Sequence, residues 1–415
     1  MGVISDLKKY VLVDGFHVVA DLEKSHGSWV VDKETGKEYL DCYSQFASQA
    51  LGWNHPSLDC DFGDVIKHKM ANSDMYTETY RDFVDKFAEV TPDFDHYFFI
   101  DGGALAVENA LKAAFDWKCQ VNGNTSRSDG QNLDIIHLRE AFHGRSGYTM
   151  SLTNTGELKT KWFPKFNWTR ITNPKIQHPM SKERVQNLEQ LSLQEAHHAL
   201  KKGNVAAIIL EPIQGEGGDN HFRKEYFEEL RKLADQFEAL LIFDEVQTGL
   251  GLTGKMWAYE HFGVTPDILV FGKKTQVCGI ASTKRINQAT NNVFRTSGRI
   301  NSTWGGNIVD MARSKAIIEI IQNENLVDNA YRTGLEFLSM LERLPSSEVT
   351  NKRGKGLMLA FDLPSENRRD EVFNKLSEKM LVLKSGINSI RFRPHLTFNS
   401  NEVDIARRFI IDALK

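Results

Sequence analysis

Short, wholly apolar runs alternate with amphipathic stretches along most of this chain. Residues 97–100, 205–210, 240–243 and 268–271 are such runs, each bounded by turn residues, as strands buried on both faces would be, and 134–138 reads as a further strand. Between them lie helix-period segments. Leu105, Val107, Leu111, Ala114 and Phe115 keep one face of a helix apolar, 174–204 is a polar helical connector, and 223–238 is an amphipathic helix. Strands alternating with helices predict an α/β fold with a mostly parallel sheet flanked by helices.

The two ends of the chain read differently. GSWVVDKETGKEYLDCY alternates around a Glu34-Thr35-Gly36-Lys37 turn, a β-hairpin signal. Helix-period residues from 80 to 90 then close at Pro92. Beyond 310, helices over 307–321 and 327–344 lead into GLMLAFDL, a helix near 369–380, LVLK, SIRFRPHL and a last helix from Glu402. These patterns divide the chain into an N-terminal segment (1–75) that contributes to a small α+β domain, a large domain (76–310) and a C-terminal part of the small domain (311–415). Gln45, Trp53, Asn54, His55 and Tyr76 interrupt the first part, and are expected as loop residues rather than a substrate mouth.

Composition narrows the class. With 415 residues, 41% of them hydrophobic, the chain can bury a substantial core. A formal charge of −4 gives no electrostatic footprint for nucleic acid or an anionic membrane. No apolar run approaches the roughly 20 residues of a membrane span, and MGVISDLKKY lacks the apolar core of a signal peptide. Cys42, Cys60, Cys119 and Cys278 form no CxxC pair, which argues against zinc or disulfide redox chemistry. A cytoplasmic protein is expected.

Candidate chemistry collects at strand ends. The run 240–243 finishes in Asp244 and Glu245, and 268–271 in Lys273 and Lys274. Ligands of open α/β sheets bind beyond the carboxyl ends of the strands, so an acid and an amine delivered there face a common pocket. An architectural Asp244–Lys273 ion pair is the plainer alternative. Gly102 and Gly103 lead a strand into a helix, and the free N–H groups of such a turn, at the helix's positive end, seat a phosphate. Phe142 and His143 follow another strand, where an aromatic ring can lie against a flat heterocycle. Arg145 beside them suits a carboxylate, held through two parallel hydrogen bonds.

DEVQTG, a strand ending in GK, FHGR, and Ser302-Thr303-Trp304-Gly305-Gly306-Asn307 together resemble the motifs of class III aminotransferases, which are fold-type I enzymes that use pyridoxal 5'-phosphate (PLP). The resemblance implies that Lys273 carries the cofactor as a Schiff base and that Asp244 faces the pyridine nitrogen. It implies that Phe142 stacks on the ring with His143 beside it, and that Gln247 meets the phenolic oxygen. Gly103 and Ala104 would hold the phosphate through their backbone, although the family's Ser and polar residue are absent from Gly102-Gly103-Ala104-Leu105-Ala106. Thr303 would reach the partner's phosphate across a homodimer interface. Lys274 is the runner-up for the Schiff base, but the family's lysine directly follows the glycine, which selects Lys273.

Longer strings, among them GGALAVENALKAAFDWK, EPIQGEGGD, FGKKTQVCG and RFRPHLTF, resemble the L-lysine 6-aminotransferase family. That family moves the terminal amine of lysine to 2-oxoglutarate, giving glutamate and 2-aminoadipate 6-semialdehyde. By that resemblance Arg391 binds the α-carboxylate of the keto acid, Glu216 neutralises Arg391 while lysine is bound, and Arg145 clamps the far carboxylate. Arg393, two positions beyond Arg391, is expected on the same face of its strand and remains a candidate for the site. Rival readings are another ω-aminotransferase, acting on ornithine, 4-aminobutyrate or a diamine, and a non-catalytic PLP-binding protein of the same fold.

Overall fold

The computed structural model describes residues 2–58, 62–122, 130–179 and 181–415. Cys60 lies outside the described residues; Cys42, Cys119 and Cys278 form no disulfide among the described residues. Its centre is a seven-stranded sheet in the order His96–Ile100, Cys278–Ser282, Ile268–Phe271, Leu240–Asp244, Val205–Leu210, Asp134–Leu138, Arg170–Ile171. Every pairing is parallel except those of Cys278–Ser282, which runs antiparallel to both neighbours. The three central runs are buried at every position, which is why they read as unbroken apolar text rather than as alternation.

Helices cover the sheet. Gly103–Val121 buries Ala106, Val107, Ala110, Leu111, Ala114 and Trp117 against it. The small residues let this helix lie close to the strands. Leu105, read as part of the apolar face, is instead 41% exposed, because it sits in the first turn and points away from the sheet. Lys224–Gln236 packs on Leu240–Asp244 and Val205–Leu210, and Lys182–Leu200 packs on Lys224–Gln236 and Arg170–Ile171.

The expected hairpin forms between Trp29–Val31 and Glu38–Asp41. Met380–Leu381, from the far end of the chain, adds to it in parallel. A separate four-stranded antiparallel sheet joins Thr350–Lys355, Met358–Asp362, Ser389–Phe392 and Leu383–Ser385. Two of these strands gave no sequence signal. Cys278–Ser282 is built of small residues around Gly279, and Thr350–Lys355 is polar throughout. Gly279 is required where it stands, since a Cβ there would lie 2.2 Å from the carbonyl oxygen of Phe98 on the neighbouring strand.

Among the described residues, no helix is long and apolar enough to cross a membrane, and no cluster of three or more His, Cys, Asp or Glu side chains could hold a metal ion.

Candidate active site

A cavity of about 1620 Å³ opens beyond the carboxyl ends of the parallel strands. Lys273, Asp244, Phe142, His143 and Gln247 line its floor, and Gly103 and Ala104 line one end. Arg145, Glu216 and Arg391 line the walls.

Asp244 closes the central strand Leu240–Asp244 and is 6% exposed. Its Oδ2 lies 2.8 Å from His143 Nδ1, and its Oδ1 accepts from the Val246 N–H at 3.1 Å. Among the described residues Lys273 makes no ion pair, so the architectural Asp244–Lys273 bridge is not formed. The acid is braced by a fully buried imidazole and leaves the amine free.

Lys273 follows Gly272 in a backbone conformation of φ +55°, which turns its side chain off the strand into the cavity. Gly272 has no room for a side chain, since a Cβ would lie 2.9 Å from Cys278 Sγ. Burial, with the Arg391 charge nearby, pulls the Lys273 amine down to about 8, against the opposing pull of Asp244, Glu211 and Glu216. At pH 7 roughly a tenth of such amines are neutral, against fewer than about one in a thousand for an ordinary lysine. In the cofactor-free chain, acylation of Lys273 is therefore expected to rise with pH through a midpoint near 8. Peptide mapping after pulses of acetic anhydride reads this directly, and a Lys273 midpoint among those of the exposed lysines would contradict it.

Lys274 does not reach the cavity. Its side chain is buried and donates from Nζ to the Ala47 carbonyl at 2.7 Å. It holds an unusual turn. Ser44, Gln45, Phe46 and Ala47 all adopt left-handed conformations, with φ of 39°, 52°, 57° and 65°. Each non-glycine residue there is strained by roughly 1–2 kcal/mol. Asp41 Oδ1 accepts the Tyr43 and Ser44 N–H groups at 2.9 and 2.6 Å, Ser44 Oγ donates to the Arg393 carbonyl at 2.5 Å, and Gln276 Nε2 donates to the Ser48 carbonyl at 3.1 Å. This turn brings Gln45 to the cavity, and Trp53, Asn54 and His55 follow it there. Four of the residues expected as loop decoration thus form the mouth, and only Tyr76, 78% exposed, stays outside. The sequence hides this, because a left-handed run of Ser, Gln, Phe and Ala has no propensity signature.

Glu216 and Arg391 meet as an ion pair, Nη2 to Oε2, at 2.6 Å. Arg391 is 2% exposed, and its Nε and Nη1 have no hydrogen-bond partner. Two buried guanidinium donors without acceptors beside a cavity fit an incoming carboxylate. Burial works to raise the Glu216 carboxyl, but Arg391 and Lys159 outweigh it and hold it below the ordinary value. Arg145 is exposed at the opposite end and makes no ion pair among the described residues.

Arg393 is corrected out of the substrate site. It is 1% exposed, pairs with Asp219, and donates from Nε and Nη2 to Gln247 Oε1 at 3.3 Å. With its oxygen so occupied, Gln247 presents its amide N–H₂ to the cavity. Gly215 accommodates this amide, for a Cβ there would lie 2.1 Å from Gln247 Oε1.

Three residues of the site were missed by sequence reading. Glu211, buried at the end of Val205–Leu210, accepts the Phe142 N–H at 3.0 Å and the Gly215 N–H at 2.9 Å, so it ties the aromatic wall to the glycine-rich loop. Burial pushes its carboxyl up to about 7. An acid ending a buried strand was the signal that found Asp244, and it applies equally here. Val246 lines the floor within reach of Gly103, whose Cβ would lie 3.0 Å from Val246 Cγ1. Lys159 carries no motif, yet it pairs with Glu216 and stands 5.5 Å from the Phe142 ring centroid.

Thr303 is exposed and lies outside the cavity, and the neighbouring Trp304 ring is stacked under Lys69 Nζ at 4.3 Å.

The cavity fits a flat, anionic, carbonyl-bearing cofactor. A nucleophilic amine of lowered basicity, a braced buried acid and a helix N-terminus surround one space, and close backbone packing keeps that end open. A Cβ on Gly144, for example, would lie 2.5 Å from that of Ala104.

Residues 11–414 match the family model "Aminotransferase class-III". The chain is 46% identical to an L-lysine-epsilon aminotransferase of Mycobacterium tuberculosis, over 98% of this chain and 94% of that protein. It is 46% identical to that of Streptomyces clavuligerus, over 96% and 91%. The solved lysine aminotransferase from M. tuberculosis in the internal aldimine form superposes with a TM-score of 0.96 at 45% identity, covering 99% of this chain and 98% of that one. With a cofactor pocket built of these groups, and a family model spanning nearly its whole length, the chain belongs to the class III aminotransferases, fold-type I enzymes dependent on PLP.

Proposed function

We propose that this aminotransferase moves the ε-amino group of L-lysine to 2-oxoglutarate, giving L-glutamate and 2-aminoadipate 6-semialdehyde, which cyclises to a piperideine carboxylate. The observation that carries the two-substrate scheme is the pair of Glu216 with the buried Arg391, with two guanidinium donors of Arg391 left over. The choice of lysine over ornithine, 4-aminobutyrate or a diamine rests on the full-length likeness to proteins named for lysine.

PLP, when bound, supplies the electron sink for removing a proton beside the transferred nitrogen. The residues do the rest. Lys273 would hold the cofactor through Nζ, and the same Nζ would take up the proton lost from the substrate carbon. Asp244, held by His143, would place negative charge against the ring nitrogen. Phe142 and Val246 would supply apolar contact for the ring, Gln247 would donate to the phenolic oxygen, and the N–H groups of Gly103 and Ala104 would receive the phosphate.

Lysine enters with its ε-amine foremost, and its carboxylate meets Arg145 at the far wall. Glu216 cancels the charge of Arg391 while that amine is near. When 2-oxoglutarate enters, its α-carboxylate displaces Glu216 from Arg391 and takes the edge formed by Nε and Nη2, and its distal carboxylate uses Arg145. Replacing Glu216 with alanine is expected to slow the single-turnover reaction with lysine by about tenfold, as an uncancelled Arg391 repels the amine. An unchanged lysine rate would remove Glu216 from this role.

Two copies build the complete enzyme in this reading, with Thr303 reaching the partner's phosphate. Exposed apolar side chains near the site, Phe46, Leu105 and Trp304, support a covered surface there. Residues 1–75 and 311–415 form one small domain about a large domain of 76–310, supported by the pairing of Met380–Leu381 with Glu38–Asp41. The protein works in the cytoplasm.

Incubation with lysine and 2-oxoglutarate, with the cyclic product trapped by 2-aminobenzaldehyde, tests the assignment. Lysine is expected to give the largest single-turnover rate among lysine, ornithine and 4-aminobutyrate. A faster ornithine or 4-aminobutyrate reaction would reassign the donor.

A further inference from the structure

Glu216 has two oxygens, and each is held by a different cation. Oε2 meets Arg391, which belongs to the strand Ser389–Phe392 deep in the cavity. Oε1 meets Lys159, which reaches in from the turn Glu157–Lys159 at the protein surface and is 32% exposed. The backbone around Glu216 is pinned. Its carbonyl accepts the Gly386 N–H at 3.1 Å, and Ser385 Oγ donates to the Gly215 carbonyl at 2.7 Å. The loop is therefore fixed, and only the Glu216 side chain is free to turn between its two partners.

We propose that Lys159 is the second seat of Glu216, a positioning residue that receives its carboxylate when a dicarboxylic keto acid displaces it from Arg391. The inference rests on the two-substrate reading above and deepens it. Charge balance is the reason. Arg391, Lys159 and Glu216 together carry one net positive charge. An incoming carboxylate brings the cluster to neutrality. Without Lys159 the cluster begins neutral, and the same step leaves Glu216 and the substrate as two anions over one guanidinium. Like charges brought that close in a partly buried site repel strongly. The lysine half of the cycle makes no such demand, because there Glu216 stays on Arg391. Lys159 also stands over Phe142, at 5.5 Å from the ring centroid, so its ammonium keeps a favourable contact while Glu216 turns.

The test separates the two half-reactions by single-turnover kinetics. In Lys159→Gln, the apparent Kd for 2-oxoglutarate with the amino form of the enzyme is expected to rise about tenfold, the effect of about 1.4 kcal/mol. The lysine half-reaction changes by less than about threefold, and Lys159→Arg restores most of the keto-acid affinity. In a Glu216→Gln background the Lys159→Gln change should add almost nothing, since no carboxylate remains to be received. Equal losses in both half-reactions would make Lys159 a structural support of the wall and overturn the proposal. Unchanged keto-acid affinity would overturn it too, as would a full Lys159→Gln effect persisting without the Glu216 charge, which would mean that Lys159 binds substrate itself. The wild-type reaction with lysine is the control: its absence would fault the substrate reading, whereas its presence with a null Lys159→Gln result faults only the second seat.

Discussion

Lys273→Ala is expected to lower the overall transamination rate by on the order of 10⁴-fold or more. Two losses combine. The cofactor loses its covalent anchor, and the proton leaving the substrate carbon loses its acceptor. Nothing nearby substitutes. Lys274 is the next residue, but its amine is committed to the Ala47 carbonyl in a buried site and lies outside the cavity. Lys159 lines the same cavity but is paired with Glu216. The fold should survive, because removing Lys273 breaks no ion pair among the described residues. Steady-state rates with lysine and 2-oxoglutarate, alongside circular dichroism, check this. Activity within about a hundredfold of wild type would mean that another amine serves.

Asp244→Asn carries the second largest effect, about 10³-fold on the rate with lysine. The asparagine side chain is nearly isosteric, so the pocket keeps its shape, but it brings no negative charge to the ring nitrogen. Its amide must also satisfy His143 Nδ1, which lies 2.8 Å from the native carboxylate. Either amide orientation compromises one side of that pair. The loss should fall on the rate of proton removal, with a smaller change in substrate affinity, because Asp244 does not face the substrate carboxylates. A variant that lost substrate affinity but kept its single-turnover rate would place Asp244 elsewhere in the cycle.

Much of this architecture was legible from the chain. The central strands are apolar because they are buried on both faces, and their charged ends fall in one cavity because the sheet is parallel there. That logic brought Asp244 and Lys273 together from residues 29 positions apart. What escaped has physical causes. Cys278–Ser282 is too small and glycine-rich to read as a strand, and it is specified by neighbours on both sides. The left-handed turn at Ser44–Ala47 is imposed by Asp41, Lys274 and Gln276, residues distant in sequence or outside the turn itself. Arg391 lies on the strand Ser389–Phe392, but Arg393 falls just past its end, where Asp219 and Gln247 capture it. Lys159 stands in a surface turn with no motif, and only the folded chain brings it to Glu216.

The attachment of PLP to Lys273 is the claim on which the rest depends. Reduction of the native holoenzyme with tritiated borohydride, followed by proteolysis and peptide sequencing, tests it most directly. The account expects one labelled pyridoxyl-lysine per chain, at Lys273. Label on Lys274, Lys159 or any other lysine, or a chain that reduction leaves unlabelled, would contradict it.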